Sequence, residues 1–401
     1  MPGRGSSWCP DRMWADMPAE LGCPQEYRAV IHWRGGARPF TSPGVSALTG
    51  VSWNRTVNDT SEGVITIAKG DAGAACCGQL GQIEPYAHEL SIYRDSELVW
   101  QGPVVRTVEN RTTFTVEAKD VTEWLARTVN TTLLRYVSAN QADPQHRGPV
   151  QEIAQTIIRL NLNGALFASG PDWPRILPFI VRDDDTVATS FEKDGSDDAS
   201  AWIVPILQII DEELVPRGLE YTTVGRALVL GRSQTTSDPA QARLTLDHVA
   251  GDVQIVRDGA AGATLVWVTN QTGQEIAGTQ FGVSGVTGPV YGRLDTLVTT
   301  QAEGLTAYDL WQLARASYNG RNPVPTSLSI PQGSSLAASA PVSMRQLVPG
   351  VRLDVSATGM CSSVTQPYRL SDVDVEWTDA SGEEVGVSLI PIGDPYTGAP
   401  P

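Results

Sequence analysis

Two neighbouring thiols, Cys76 and Cys77, are the side chains in this sequence best placed to do chemistry, because adjacent cysteines seldom arise from packing needs. With Cys9 and Cys23 they could form two disulfides or a four-sulfur zinc site, and either would pin the N-terminal arm to the first sheet. Cys9 and Cys23 lack the short C-x-x-C spacing of zinc ligands, and buried free thiols acting as small apolar groups are the plain alternative. Cys361 makes the count odd, so at least one thiol is unpaired unless two chains are bridged.

Carboxylates and imidazoles come next. Asp183, Asp184 and Asp185 could join Asp197 and Asp198 around calcium, which wants several hard oxygen ligands; a solvated acidic loop explains the same residues. Glu212 and Glu213 read as the surface end of a helix. His32, His88, His146 and His248 are scattered and form no H-E-x-x-H pair, and on a strand His88 and Glu89 point to opposite faces. The sequence also lacks G-x-S-x-G, G-x-x-x-x-G-K-[ST] and G-x-G-x-x-G. No catalytic residue and no cofactor is expected, and the reading is of a non-enzymatic protein.

The chain of 401 residues has 29 basic and 45 acidic side chains, a formal charge of -16 that opposes binding to nucleic acid or anionic lipid. Hydrophobic residues make up 41% and charged ones 18%, with 38 Gly and 27 Pro, which argues for packed, turn-rich domains and against disorder or coiled coils. The most apolar stretch, 202–210, is about half of what a bilayer crossing requires, and residues 1–10 lack the apolar run of a secretory leader. Synthesis in a cytoplasm and no membrane span are therefore expected.

These residues must be positioned by elements, and the period near two from Tyr27 onward predicts strands at 27–33, 63–68, 88–93, 98–106 and 113–117. Turn residues at 94–97 make 88–106 a hairpin. Residues 27–117 read as one curled antiparallel sheet. The period then changes. Asp120 is placed to cap a helix carrying Val121, Trp124, Leu125 and Val129, and 150–160 reads as a second helix with Ile153, Ile157 and Leu160 on one side. Residues 163–199 look like loop, 199–214 like a third helix, and 219–231 like a hairpin turning at Val224 and Gly225. Strands return at 244–246, 253–257 and 263–268, with 271–289 a long hairpin or loop. Thr306 caps a helix bearing Leu310, Trp311, Ala314 and Tyr318, and the strands at 327–330, 347–355, 368–377 and 384–390 are expected to form a second β unit, with a turn or bulge at Pro349 and Gly350.

Residues 76–106, continuing into 115–127, resemble a signature of minor tail proteins from actinobacterial siphophages; Trp100, Gly102, Pro103 and Trp124 lie within it. The turn at 347–350, with Pro349 and Gly350, and the later 369–375 are similar to the last domain of tail hub proteins. The resemblance implies the hub class typified by the central hub of T-even phage baseplates. Its expected fold is β-rich α+β, with two tube-like antiparallel β-barrel domains, flanking helices and a smaller α/β middle unit. The boundaries that follow are an N-terminal arm at 1–26, a first barrel at 27–136, the α/β domain at 137–243, a second barrel at 244–395 and a tail at 396–401, with 244–268 as candidates to complete the first barrel.

In function the resemblance implies a virion protein at the distal end of a tail. It would be a homotrimer whose six barrels dock on a sixfold tail tube or distal tail protein and on the tip or spike. Genomic DNA would pass through the ring without specific binding, repelled by an acidic lumen within about 8–10 Å. The rival expectation is a receptor- or glycan-binding tip protein; Trp53, Trp100, Trp124 and Trp267 suit core or interface better than sugar stacking.

Overall fold

In a computed structural model the described residues are 21, 26–36, 38–41, 47–69, 77–130, 150–162, 178–182, 204–215, 218–232, 238–260, 262–269, 281–285, 292–299, 310, 311, 314, 315, 317, 318, 326–358, 361 and 363–392. They divide into two units: one of 1–233, 333–351 and 370–388, the other of 234–332, 352–369 and 389–401.

The first unit begins with β1 (Tyr27–Trp33), β2 (Pro39–Thr41), β3 (Leu48–Thr56) and β4 (Glu62–Ala68). A short helix, α1 (Cys77–Leu80), leads to β5 (His88–Arg94), β6 (Glu97–Glu109) and β7 (Thr113–Lys119). Alternation explains them: Tyr27, Ala29 and Ile31 of β1, Ile65 and Ile67 of β4, and Phe114, Val116 and Ala118 of β7 are buried while their neighbours are not. The expected turn at 94–97 is present, with Asp95 in the left-handed region at φ 55°. Register shifts at Ile31/His32, Leu48/Gly50, Ile92/Tyr93 and Val104/Arg106 bend the strands, as bulges do.

Helix α2 (Thr122–Arg127) follows, buried through Trp124 and Leu125, then α3 (Val150–Leu162). On α3 the buried set is Val150, Ile153, Ala154, Ile157, Ile158 and Leu162. The stripe drifts with the 3.6 period, and Leu160, expected on the buried side, lies at its margin and is exposed. Within the stretch expected to be loop, β8 (Phe179–Arg182) pairs in parallel with β10 (Ala227–Arg232), itself hairpinned to β9 (Leu219–Val224). The third helix begins at α4 (Ile206–Ile209), after Pro205, and runs into a π-helical turn at Ile210–Leu214. Leu125, α3, α4 and the β9–β10 hairpin share one apolar core.

The second unit holds β11 (Ala242–Thr245), β13 (Gln254–Arg257), β14 (Leu265–Thr269), β15 (Phe281–Gly285), β16 (Asp295–Thr299) and β17 (Thr326–Ser329), with β12 (Val249–Ala250) between the first two. The strands β18 (Ser334–Leu336), β19 (Arg352–Ala357), β20 (Val364–Thr378) and β21 (Gly382–Pro391) complete the chain. Within the second unit β19 pairs with β11 in parallel and with residues 364–369 of β20 antiparallel, and β13 pairs with β17. Strand β14 lies between β15 and β16, and its Val266 and Val268 pack on the helical Leu310 and Ala314.

The last four strands do not stay together. Residues 370–378 of β20 run antiparallel to β3, with Val375 opposite Trp53 and Val373 opposite Arg55, and β21 and β18 follow on from them. The order within the first unit is β18-β21-β20-β3-β4-β7-β6-β5-β1-β2. Contiguity in sequence favours a separate C-terminal sheet, whereas this register sets the inward faces of β3 and β20 side by side. The structure is thus β-rich and mostly antiparallel, with few helices; among the described residues no ladder closes on itself.

Candidate functional site

The segment expected to carry the signature forms the polar interior of the first unit. Asp120 leaves β7 and lies one residue ahead of the N-cap of α2, which Val121 occupies, so it is not the cap that the sequence suggests. Its carboxylate is fully buried and accepts five hydrogen bonds. Oδ2 takes the Ser61 N–H at 2.8 Å, the Ser61 hydroxyl at 2.6 Å and the Thr223 hydroxyl at 2.9 Å, and Oδ1 takes the Thr122 N–H at 2.8 Å and its hydroxyl at 2.5 Å. Burial raises the Asp120 pKa above the ordinary carboxylate value even against those bonds. Because Thr223 belongs to β9, this one side chain ties the long sheet to the α/β part of the same unit.

Trp100 sits beside it, buried, donating its indole N–H to the Ser61 hydroxyl at 3.2 Å. Its ring lies on Gly63, where a Cβ would come within 2.7 Å of it. Gly102 allows a still closer approach: a Cβ there would stand 1.8 Å from the Lys119 carbonyl oxygen. Pro103 faces Glu89 across the β5–β6 ladder. Trp124 packs edge-on to Tyr86 at 6.0 Å, under the Arg34 guanidinium at 4.6 Å. Gly350 adopts φ 98°, making the expected turn with the buried Pro349, and donates its N–H to the Leu370 carbonyl at 2.7 Å. Trp100, Gly102 and Trp124 therefore serve the interior of the chain: Trp100 and Trp124 are buried and Gly102 is packed against backbone, and Trp53 is buried with them.

Three further charged groups are buried here, of which the sequence singles out only Glu89, as a neighbour of His88. Glu89, completely buried, accepts from the Gly35 N–H at 2.9 Å, Gln101 Nε2 at 2.9 Å and Arg226 Nε at 3.1 Å. Arg55, fully buried, donates to the carbonyls of Met344 at 3.1 Å, Leu347 at 3.0 Å and Val99 at 2.9 Å. Burial pulls its pKa down to about 10. Arg94 grips Glu383 through Nε at 2.7 Å and Nη2 at 2.9 Å, and Tyr27 adds its hydroxyl at 2.6 Å. Burial lowers and Glu383 raises the Arg94 pKa, with a net rise. A signal was available for Arg55, which continues the inward alternation of Val51 and Trp53. For Arg94 and Glu383 nothing local marks the pair, 289 residues apart.

On the other face of β3 and β20, a cleft of about 440 Å³ is lined by Ser52, Asn54, Glu62, Asp374, Glu376 and Glu384. Its charge is wholly acidic, and burial and Asp372 raise the Asp374 pKa. The other sequence candidates are dispersed. Cys9, Cys23, Cys76 and the side chain of Cys77 lie outside the described residues, as do Asp183, Asp184, Asp185, Asp197, Asp198 and His146. Cys361 is exposed and free. His88 is buried and packs on Trp33 and Phe40, and His248 Nδ1 accepts from the Thr245 N–H at 3.1 Å. Among the described residues no three His, Cys, Asp or Glu converge on a metal position, and no helix is long and apolar enough to cross a membrane.

No family model and no curated protein matches the sequence. Among solved structures, the fold is similar to the 43 kDa tail protein of prophage MuSo2 from Shewanella oneidensis, at 14% identity and a TM-score of 0.54, covering 92% of this chain and 99% of that one. It is also similar to the tail protein from Neisseria meningitidis MC58, at 12% identity and a TM-score of 0.51, covering 91% and 96%. The chain shares the fold of these two proteins. Within that fold, Asp120, Glu89 and Arg55 are the side chains that hold the first unit to its shape.

Proposed function

We propose that this chain is a structural protein of a virion, a tail hub that joins the tail tube to the distal tip or spike. One observation carries the reading: a likeness of fold that runs almost end to end, in both directions, with two tail proteins. The interior supports it, because the buried charged groups Asp120, Glu89, Arg94 and Glu383 hold strands together, which suits a scaffold role. In this reading three copies form a ring. Each contributes two tube-like β domains, the first built on 27–136 together with 333–351 and 370–388, the second on 244–332 and 352–369. Six such domains match a sixfold tube, and a closed ring needs one repeated heterologous contact.

The ring would line the DNA channel. Three copies multiply the formal charge of -16, and an acidic bore repels passing phosphate instead of retaining it. Partners are then the tail tube or distal tail protein on one side and tip proteins on the other, with synthesis in the host cytoplasm. Electron microscopy of the purified chain tests this. Threefold rings with an electronegative pore are expected, and a particle that remains a monomer at all concentrations, away from the channel in a map of the virion tip, would overturn it.

A further inference from the structure

The first unit is built from segments far apart in sequence. Strand β3 has β4 on one side and residues 370–378 of β20 on the other, in register from Gly50 opposite Thr378 to Thr56 opposite Asp372. Without β20, β3 would be an open edge whose inward side chains are Leu48, Val51, Trp53 and Arg55. Such an edge invites pairing with other chains.

Charge makes the dependence stricter. Arg55 has two of its three carbonyl acceptors, Met344 and Leu347, in the segment 333–351. Arg94, also buried, has its bidentate carboxylate on Glu383, the residue that also takes the Tyr27 hydroxyl. At the rim, Thr56 donates to Asp372 at 2.6 Å and the Val57 N–H to the Ser371 carbonyl at 3.1 Å. Every one of these ties spans nearly three hundred residues or more. Closing so long a loop costs little more than closing a shorter one, since the entropy grows with the logarithm of length. Leaving a guanidinium buried without its acceptors is among the costlier defects a fold can carry.

We infer that residues 333–351 and 370–388 are a closing strap without which the sheet of residues 27–119 does not hold, so that the first unit forms only once residues up to 388 have been made. The strap orders events. Any contact between copies that uses this sheet is withheld until the last strands have docked, and the apolar edge of β3 is covered in the same step. The inference concerns a single chain and stands or falls independently of ring formation.

Native-state hydrogen exchange of the full-length protein, followed through sub-denaturing guanidinium, tests it. The amides of residues 48–56, 114–118 and 372–378 should converge on one opening with a common midpoint and denaturant slope. Glu383→Gln should speed exchange in all three by the same factor, at least tenfold. Should that variant fail to fold, Tyr27→Phe, which removes a single hydroxyl, is expected to shift the three segments together by a smaller common factor. An opening that exposes 372–378 while 114–118 stays protected, or a variant that accelerates 370–388 alone, would show a detachable segment and overturn the inference.

Discussion

The two units tie their buried charges over different distances in sequence. In the first, Arg55, Glu89, Arg94, Asp120 and Glu383 are all in the interior and all hydrogen-bonded, Arg55, Arg94 and Glu383 by residues nearly three hundred positions or more away. In the second, Arg352 and Asp354 form a largely buried pair only two residues apart on β19, the pair Arg293 and Asp295 lies at the surface, and the apolar cluster on β14 comprises Ala263, Val266, Val268, Leu310 and Ala314. A β-strand whose neighbour is chosen by a buried charge has few alternative registers, because a one-residue slip strands that charge. A strand held by main-chain bonds and a small apolar face is less constrained. The first unit is therefore specified by polar ties between distant strands, and the second by ladder, packing and a charge pair local to one strand.

The sharpest way to break that contrast is Glu383→Gln, which leaves Arg94 buried without its carboxylate. A loss of about 3–5 kcal/mol is expected in guanidinium unfolding. Replacing both partners, as Arg94→Met with Glu383→Leu, should recover most of it, since an apolar pair of similar size removes the uncompensated charge. Gly102→Ala comes next: the Cβ must displace the Lys119 carbonyl, and a loss of about 3 kcal/mol is expected from overpacking against main chain.

Asp120→Asn is expected to cost about 1–3 kcal/mol, because each carboxylate oxygen receives a main-chain N–H and one of them would face an amide NH₂ instead. Its pH dependence carries a definite sign. The folded carboxyl binds its proton more tightly than the unfolded one, so the stability it contributes is present below the unfolded value and is lost as pH rises through the raised folded value. The stability gap between wild type and Asp120→Asn should narrow over that acidic interval, as measured by unfolding at successive pH values. The smallest effect belongs to the second unit: Arg293→Gln at the surface should leave the unfolding midpoint unchanged within error.

Much of the first sheet was legible because its signal is local. Alternation marked β1, β4, β5 and β7, and the polar residues at 94–97 marked the turn from β5 to β6. β8 and β16 were not legible. Phe179 and Leu297, apolar and well exposed, break the pattern that marks a half-buried strand. Gly102 and Trp100 stood in a recognisable segment, but their purpose emerged only from what they touch, the Lys119 carbonyl and Ser61. Asp120 was visible as a helix-capping type and became instead the acceptor for Ser61, Thr122 and Thr223, a set no spacing rule assembles.

The amino-acid sequence alone determined that the chain is β-rich, acidic and turn-dense, and which residues of most strands face inward, since a period of two and a turn residue act over a few bonds. Tertiary structure decided which strands become neighbours. Pairing β3 with β20 depends on two inward faces and several buried charges meeting across some three hundred residues, and no local pattern encodes a partner that distant.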